Sequence, residues 1–148
     1  MQISTRIKDP KKIKTNKTRI KNKVKIILNA LECEGAGLSV YLTDDDEIEQ
    51  LNRQWLGREG PTDVMSWSQL EGEPFPTSFL GDVVISLDTA VRQAEKMGHS
   101  TDHELNVLIA HGILHLLGYE HVNGGLQARR MFDMQKQLVD EVEAREKK

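Results

Sequence analysis

The eleven residues from Val107 to Leu117 contain no Asp, Glu, Lys or Arg, although 29% of the chain is charged. This run is shorter than the roughly 20 apolar residues that cross a bilayer. It therefore predicts a helix buried at the centre of a globular fold. Two histidines interrupt the run, His111 and His115, and their four-residue spacing places both on one helical face. Gly118 predicts the helix end, since glycine readily adopts the left-handed conformation found there.

A third histidine, His121, follows that glycine, and the reversal of the chain there can bring it back to the first two. The spacing H-x-x-x-H-x-x-G-x-x-H matches the long zincin signature. Three imidazoles suit zinc and leave a fourth position open for water or substrate. The sequence thus predicts one Zn²⁺ per chain on His111, His115 and His121. A closed structural site is the alternative; it needs a fourth ligand, and the single cysteine, Cys33, is distant in sequence.

The residue after the first histidine separates this motif from that of the zinc proteases. Those enzymes place Glu there as general base, whereas this chain has Gly112. Zinc can still acidify bound water or polarise a phosphoryl or carbonyl oxygen. The motif therefore predicts metal-dependent hydrolysis and argues against a peptidase. A zinc hydrolase of a peptide or small molecule is kept as the alternative.

Carboxylates near the motif are candidates for orienting an imidazole through its second nitrogen. Glu120 lies directly before the third histidine, and Asp63 and Glu104 are further candidates. Each of the three also fits an ordinary surface, capping or turn position. His99 and His103 precede the motif, and we expect both to be exposed residues at the start of the helix.

The rest of the chain alternates strand and helix patterns, and its 148 residues fit one domain spanning 1–148. Alternating or β-branched runs predict strands, and apolar residues at helical spacing predict helices. The predicted strands cover residues 3–7, 37–43, 64–67 and 79–87. The predicted helices cover residues 15–34, 44–55, 88–97, 101–117 and a last segment from the Gly124-Gly125 pair to about residue 145. We therefore expect a single α+β domain.

Charge is distributed unevenly along the chain. Residues 1–25 hold ten Lys or Arg and one acid, whereas the remainder holds ten basic and twenty-two acidic side chains. A basic arm on an acidic body can meet phosphates through counterion release. The alternative is that residues 17–25 form the solvated face of the first helix. Charge alone does not identify a nucleic-acid-binding protein.

The same composition bears on location. The N-terminus lacks the apolar core of a secretory signal, and no apolar run is long enough to span a membrane. A single cysteine fits a reducing compartment. We expect a cytoplasmic protein with no membrane partner.

The run from His111 to His121 resembles the H-G-x-L-H-L-x-G-Y-D-H signature of the YbeY family, bacterial endoribonucleases of ribosomal RNA maturation. Residues 51–52 (LN) and 61–67 (PTDVMSW) resemble the family's L-N…P-T-D-V-L-S-F segment. Residues 80–86 (LGDVVIS) are similar to its L-G-D-I-x-I-S strand. Together these matches cover residues 51–121 in the order of the family.

The resemblance implies an α+β fold with a small mixed sheet, helices packed on it and a zincin-like zinc helix. It implies zinc on His111, His115 and His121 beside a groove for single-stranded RNA. The implied activity is hydrolytic cleavage of RNA at the 3′ end of small-subunit rRNA, together with ribosome quality control. Single-stranded rRNA and the small ribosomal subunit are then the expected partners.

Three positions depart from the family pattern. Glu120 replaces Asp and keeps the carboxylate, and Trp67 replaces Phe. Leu56 stands where the pattern Y-R-x-K-D has an arginine facing the zinc groove. We expect Arg58, with Arg53 as the alternative, to neutralise phosphate charge. For proton transfer the candidates are Glu120 or Asp63 acting through water, or metal-bound hydroxide without either residue. Without such a cation, the chain would instead be a zinc-stabilised ribosome-assembly factor that binds without cleaving.

Overall fold

The structure is a computed structural model that describes residues 3–9, 15–57, 63–68, 79–119 and 125–146. Within these ranges lie four strands and five α-helices, at the places that the sequence pattern predicts. The strands are β1 (Ile3–Ile7), β2 (Gly37–Thr43), β3 (Val64–Ser68) and β4 (Phe79–Ser86). The helices are α1 (Lys17–Ala30), α2 (Asp45–Leu51), α3 (Leu87–Met97), α4 (Thr101–Leu116) and α5 (Gly125–Glu146). A π-helical turn, Asn52–Leu56, continues α2.

The strands form one mixed sheet in the order β1-β2-β4-β3. The first three strands in this order run parallel, and β3 pairs antiparallel with β4. Parallel neighbours need a crossover connection, which α1 supplies between β1 and β2. This arrangement confirms the expected α+β fold with a small mixed sheet.

One face of the sheet carries the main core. Because side chains alternate along a strand, β2 directs Leu38, Val40 and Leu42 to this face, and β4 directs Val83 and Ile85 to it. Helices α1 and α4 pack over these residues with their own apolar faces. The predicted burial of α4 is confirmed, since most of its residues from Glu104 onward are inaccessible to solvent.

Helix α4 lies very close to β4 at Gly112. A Cβ atom added there would be 2.6 Å from Cγ1 of Val83, closer than two carbon atoms can approach. The position where zinc proteases carry their glutamate is therefore occupied here by a contact between helix and sheet. At the other end of the helix, Gly118 has a φ of 96° and Tyr119 N donates to the Leu114 carbonyl, which ends the helix as predicted.

The opposite face of the sheet is only partly covered. A small cluster of Ile48, Met65 and Val84 joins α2 to β3 and β4, with Tyr41 and Trp67 packed against it. Towards β1, this face borders a groove lined by Ser4, Arg6 and Ser39. Across the described ranges, no helix has both the length and the apolar character that crossing a membrane requires.

Lys23 corrects the expectation that residues 17–25 form a solvated helix face. Lys17, Lys21 and Lys25 are exposed, but the side chain of Lys23 is 0% exposed. Its ammonium group donates to Asn106 at 2.6 Å, and also to carboxylate oxygens of Asp102 and Glu146. A buried charge requires such partners. Lys23 thus links α1 to α4 and α5 within the fold.

Candidate metal centre

His111 and His115 lie one turn apart near the C-terminal end of α4, and both are partly buried. Their Nε2 atoms are 3.1 Å apart, and the two rings cross at 67° with centroids 4.6 Å apart. Two nitrogens bound to one tetrahedral zinc at about 2.0–2.1 Å are separated by about 3.3 Å. The two Nε2 atoms therefore have a spacing close to that of two ligands of one metal.

A glutamine on the last helix holds the first of these imidazoles. Nδ1 of His111 lies 2.7 Å from Oε1 of Gln135. An amide oxygen can only accept a hydrogen bond, so Nδ1 donates its proton to it. This contact fixes the tautomer in which Nε2 of His111 carries the lone pair, the form of imidazole that binds metals. Helix α5 thereby fixes the orientation of a side chain on α4.

A cavity of about 870 Å³ opens beside His111 between α4 and α5. Its wall includes Gln135, the exposed guanidinium of Arg129 and the aromatic ring of Phe132, which is 66% exposed. The cavity therefore brings together an imidazole, a cation and an aromatic surface. Such groups can hold a metal, an anion and an aromatic ring, respectively.

Comparison with known proteins decides the family. The family model described as Endoribonuclease YbeY matches residues 2–143 of this chain. The chain belongs to the YbeY endoribonuclease family. Among its relatives, the Endoribonuclease YbeY of Aquifex aeolicus is 43% identical over 133 residues, which are 89% of this chain and 87% of that protein. The Endoribonuclease YbeY of Symbiobacterium thermophilum is 49% identical over 117 residues, covering 69% and 73% of the two chains.

A solved structure supports the same assignment. The solution structure of TM1509 from Thermotoga maritima superposes with a TM-score of 0.70 at 26% identity, covering 99% of this chain and 92% of that one. YbeY membership confirms the resemblance seen in residues 51–121. Membership of this family favours an endoribonuclease of rRNA maturation. The two alternatives, a zinc hydrolase of a peptide or small molecule and a ribosome-assembly factor that binds without cleaving, are not favoured.

The structure describes two of the three histidines predicted for the YbeY metal site. His121 and both predicted catalytic residues, Arg58 and Glu120, lie outside the described residues. Among the described residues, no three His, Cys, Asp or Glu side chains come together as a metal-binding group. The third ligand, and zinc itself, therefore stay predictions.

The alternative cation, Arg53, belongs to the π-helical turn after α2. Its guanidinium contacts Oε1 of Glu49 at 2.9 Å, one turn earlier on the exposed surface. This contact supplies Arg53 with a carboxylate partner already. By contrast, Arg129 lines the cavity beside His111, and the sequence pattern did not single it out.

The expected imidazole partners have other contacts. Glu104 is buried and pairs with His99 at 2.7 Å, and His103 pairs with Glu143 at 2.5 Å. Both histidines are partly buried, so the expectation that they are exposed is wrong. Asp63 accepts hydrogen bonds from Gln93 on α3 and from the Val64 backbone. Glu104 therefore orients a histidine outside the motif.

Proposed function

We propose that this protein uses one zinc ion per chain to cleave single-stranded RNA during maturation of the 3′ end of small-subunit rRNA. The observation that carries the proposal is the 3.1 Å separation of the Nε2 atoms of His111 and His115, in a chain of the YbeY family. The small ribosomal subunit as partner, a part in ribosome quality control and a cytoplasmic location belong to the same proposal, since rRNA is matured in that setting.

The donors on α4 fit a zinc ion. His111 and His115 offer imidazole nitrogens at a suitable spacing, and Gln135 sets the tautomer of the first. His121 is the proposed third ligand, which makes α4 and the turn after it a zincin-like zinc helix. When bound, the ion supplies Lewis acidity to a phosphate oxygen and makes water a stronger nucleophile.

The remaining work falls to side chains of the chain itself. Arg129 lines the cavity beside His111 and is placed to neutralise phosphate charge, a role that Arg58 shares in this proposal. Phe132 presents an aromatic face on which an unpaired base can stack. Glu120 is the proposed proton carrier. Gly112 cannot be replaced by an acid as in proteases, because Val83 fills the space beside it.

Metal analysis combined with RNA cleavage tests this function. The variant His115→Ala should lose stoichiometric zinc and, with it, cleavage of a single-stranded RNA. The matched control is His99→Ala, which removes a histidine outside the motif and should keep the zinc. Zinc content that is unchanged in His115→Ala would show that the site is assigned wrongly. Zinc retention by the wild-type protein without any RNA cleavage would instead support a binding factor.

A further inference from the structure

The face of the sheet opposite the main core carries a second groove, of about 490 Å³. The proposed metal centre does not use this groove. Its floor consists of two rows of side chains that run across the strands in register. The first row is Ser4, Ser39, Asp82 and Trp67, with one residue from each strand, and the second row is Arg6, Tyr41 and Val84. The π-helical turn after α2 forms one wall of the groove through Trp55.

Both tryptophans of the chain line this groove. Trp55 is 62% exposed, and an aromatic side chain this large gains little stability from such a position. It stands on a π-helical turn, a rare element that is frequent at functional sites. Trp67 and Tyr41, by contrast, are packed against the Ile48 cluster and are held in place. The groove therefore combines one accessible indole with two fixed rings.

Polar groups lie among these rings. The guanidinium carbon of Arg6 is 4.3 Å from the centre of the Tyr41 ring, a cation–π contact. Asp82 accepts a hydrogen bond from Ser39 at the floor of the groove. Aromatic faces for stacking, a guanidinium for phosphate and an acceptor for base N–H groups are the features by which proteins hold unpaired nucleotides.

Charge complementarity favours RNA on this face. Arg6 lies on β1 and brings a cation to the aromatic lining of the groove. Basic side chains next to stacking surfaces track a nucleic acid backbone. The lining of the groove therefore offers a cation for a phosphate beside rings for bases.

The groove is also near the histidine helix. Trp67 on β3 faces the groove, while the next residue, Ser68, donates from its hydroxyl to the carbonyl of Leu116 at the end of α4. That carbonyl belongs to the residue after His115. Strand β3, at the edge of the sheet, therefore borders the groove through Trp67 and the end of α4 through Ser68.

We propose that this groove holds unpaired bases of the RNA strand, stacked on Trp55 and Trp67, with Arg6 against a phosphate. The identity of the ligand as RNA rests on the proposed function. The strand would pass over the edge at β3, so that one end lies in the groove and the other at the cavity beside His111.

Tryptophan fluorescence tests this directly, because the only two tryptophans lie in the groove. His115→Ala protein, which is not expected to cleave, is titrated with a short single-stranded RNA. We expect saturable quenching. Adding Trp55→Ala should weaken RNA binding about fivefold or more, which is the effect of losing one stacked base. The anisotropy of labelled RNA measures this affinity. Trp55→Phe should restore most of the affinity, and Met97→Ala, which removes an exposed apolar side chain on α3, should change nothing.

The outcomes separate the groove from the metal centre. The wild-type protein could fail to cleave RNA while RNA still quenches the fluorescence and Trp55→Ala still weakens RNA binding. That result would support RNA binding in the groove and contradict the nuclease proposal. RNA binding that depends on Phe132 but not on Trp55 would confine RNA to the histidine cavity and overturn the groove proposal. Fluorescence that responds to rRNA-free ribosomal protein, and not to RNA, would also overturn it by assigning the groove to a protein partner.

Discussion

Nδ1 of His111 on α4 lies 2.7 Å from Oε1 of Gln135 on α5, 24 residues further along the chain. The hydrogen bond ties the tautomer of a proposed zinc ligand to the docking of another helix. Partners of this kind affect metal affinity because they fix the ring and raise its basicity.

Gln135→Leu should therefore lower zinc affinity by about 10- to 100-fold while the fold is retained. Leucine keeps the volume but cannot accept the proton of Nδ1. Competition with a chromogenic chelator measures this affinity without any RNA. Gln137→Leu, an exposed glutamine on the same helix, is the matched control. Equal affinities of the two variants would show that the hydrogen bond does not support metal binding.

Arg129→Ala should reduce RNA cleavage by roughly tenfold to a hundredfold with zinc content unchanged. This is less than the loss of a buried oxyanion donor, because the guanidinium is exposed and screened by salt. Single-turnover cleavage of a labelled RNA measures the effect. Arg130→Ala removes an equally exposed neighbour outside the lining of the cavity and should cleave normally. A comparable loss in both variants would point to general charge instead of a site.

The same comparison applies to Arg58, the cation that the sequence predicts for the phosphate. Arg58→Ala should also weaken cleavage and keep the zinc, whereas Arg53→Ala should have little effect because Arg53 is already paired with Glu49. Activity that depends on Arg53 and not on Arg58 or Arg129 would reverse this assignment.

The elements of the fold could be predicted because each leaves a local pattern. The uncharged run before Leu117 identified the buried helix, and the spacing of His111 and His115 identified their shared face. The strand order β1-β2-β4-β3 has no such signal, since it depends on which strands pair across long separations.

The residues that were missed all depend on contacts between distant segments. Gln135 and Arg129 look like ordinary surface residues of an amphipathic helix until α5 is placed on α4. Lys23 looked solvated, because its partners Asp102 and Glu146 are 79 and 123 residues away. A polar residue that becomes functional or buried only through tertiary packing leaves no periodic mark in the sequence.

Lys23→Met should destabilise the protein by about 3 kcal/mol, the low end for breaking a buried ion pair. The cost arises because Asp102 and Glu146 lose their buried cation, and it is limited because Arg19 still lies 2.8 Å from Asp102. Urea denaturation measures the change in unfolding free energy. Lys21→Met, on the exposed side of the same helix, is the control and should be nearly neutral.

Asp102 gives this network a dependence on pH. Burial alone would raise the pKa of its carboxyl, but the hydrogen bond from Arg19 and the charge of Lys23 outweigh burial and lower that pKa below its ordinary value. Because the pKa of this carboxyl is lower in the folded chain than in the unfolded chain, where it is about 3.9, the ionised carboxylate stabilises the fold above that pH. This stabilisation is lost as the pH falls through the folded-state pKa. Asp102→Asn should therefore be less stable than wild type at pH 7, with the difference narrowing below about pH 4. Urea midpoints at pH 7 and pH 3 check this; a constant difference would contradict it.

Contact with Val83, and not a catalytic role, should limit which residues can replace Gly112. An added Cβ would lie 2.6 Å from one methyl carbon of Val83 and 3.1 Å from the other. Gly112→Ala should therefore destabilise the fold by about 1–3 kcal/mol, the usual cost of overpacking. Val83→Ala alone leaves a cavity and is also destabilising. In the double variant, the alanine at 112 occupies space that the valine methyls leave. The double variant should therefore lose clearly less unfolding free energy than the two single variants lose together. A double-mutant cycle in urea measures this coupling, and full additivity would mean that the helix moves away from the sheet instead.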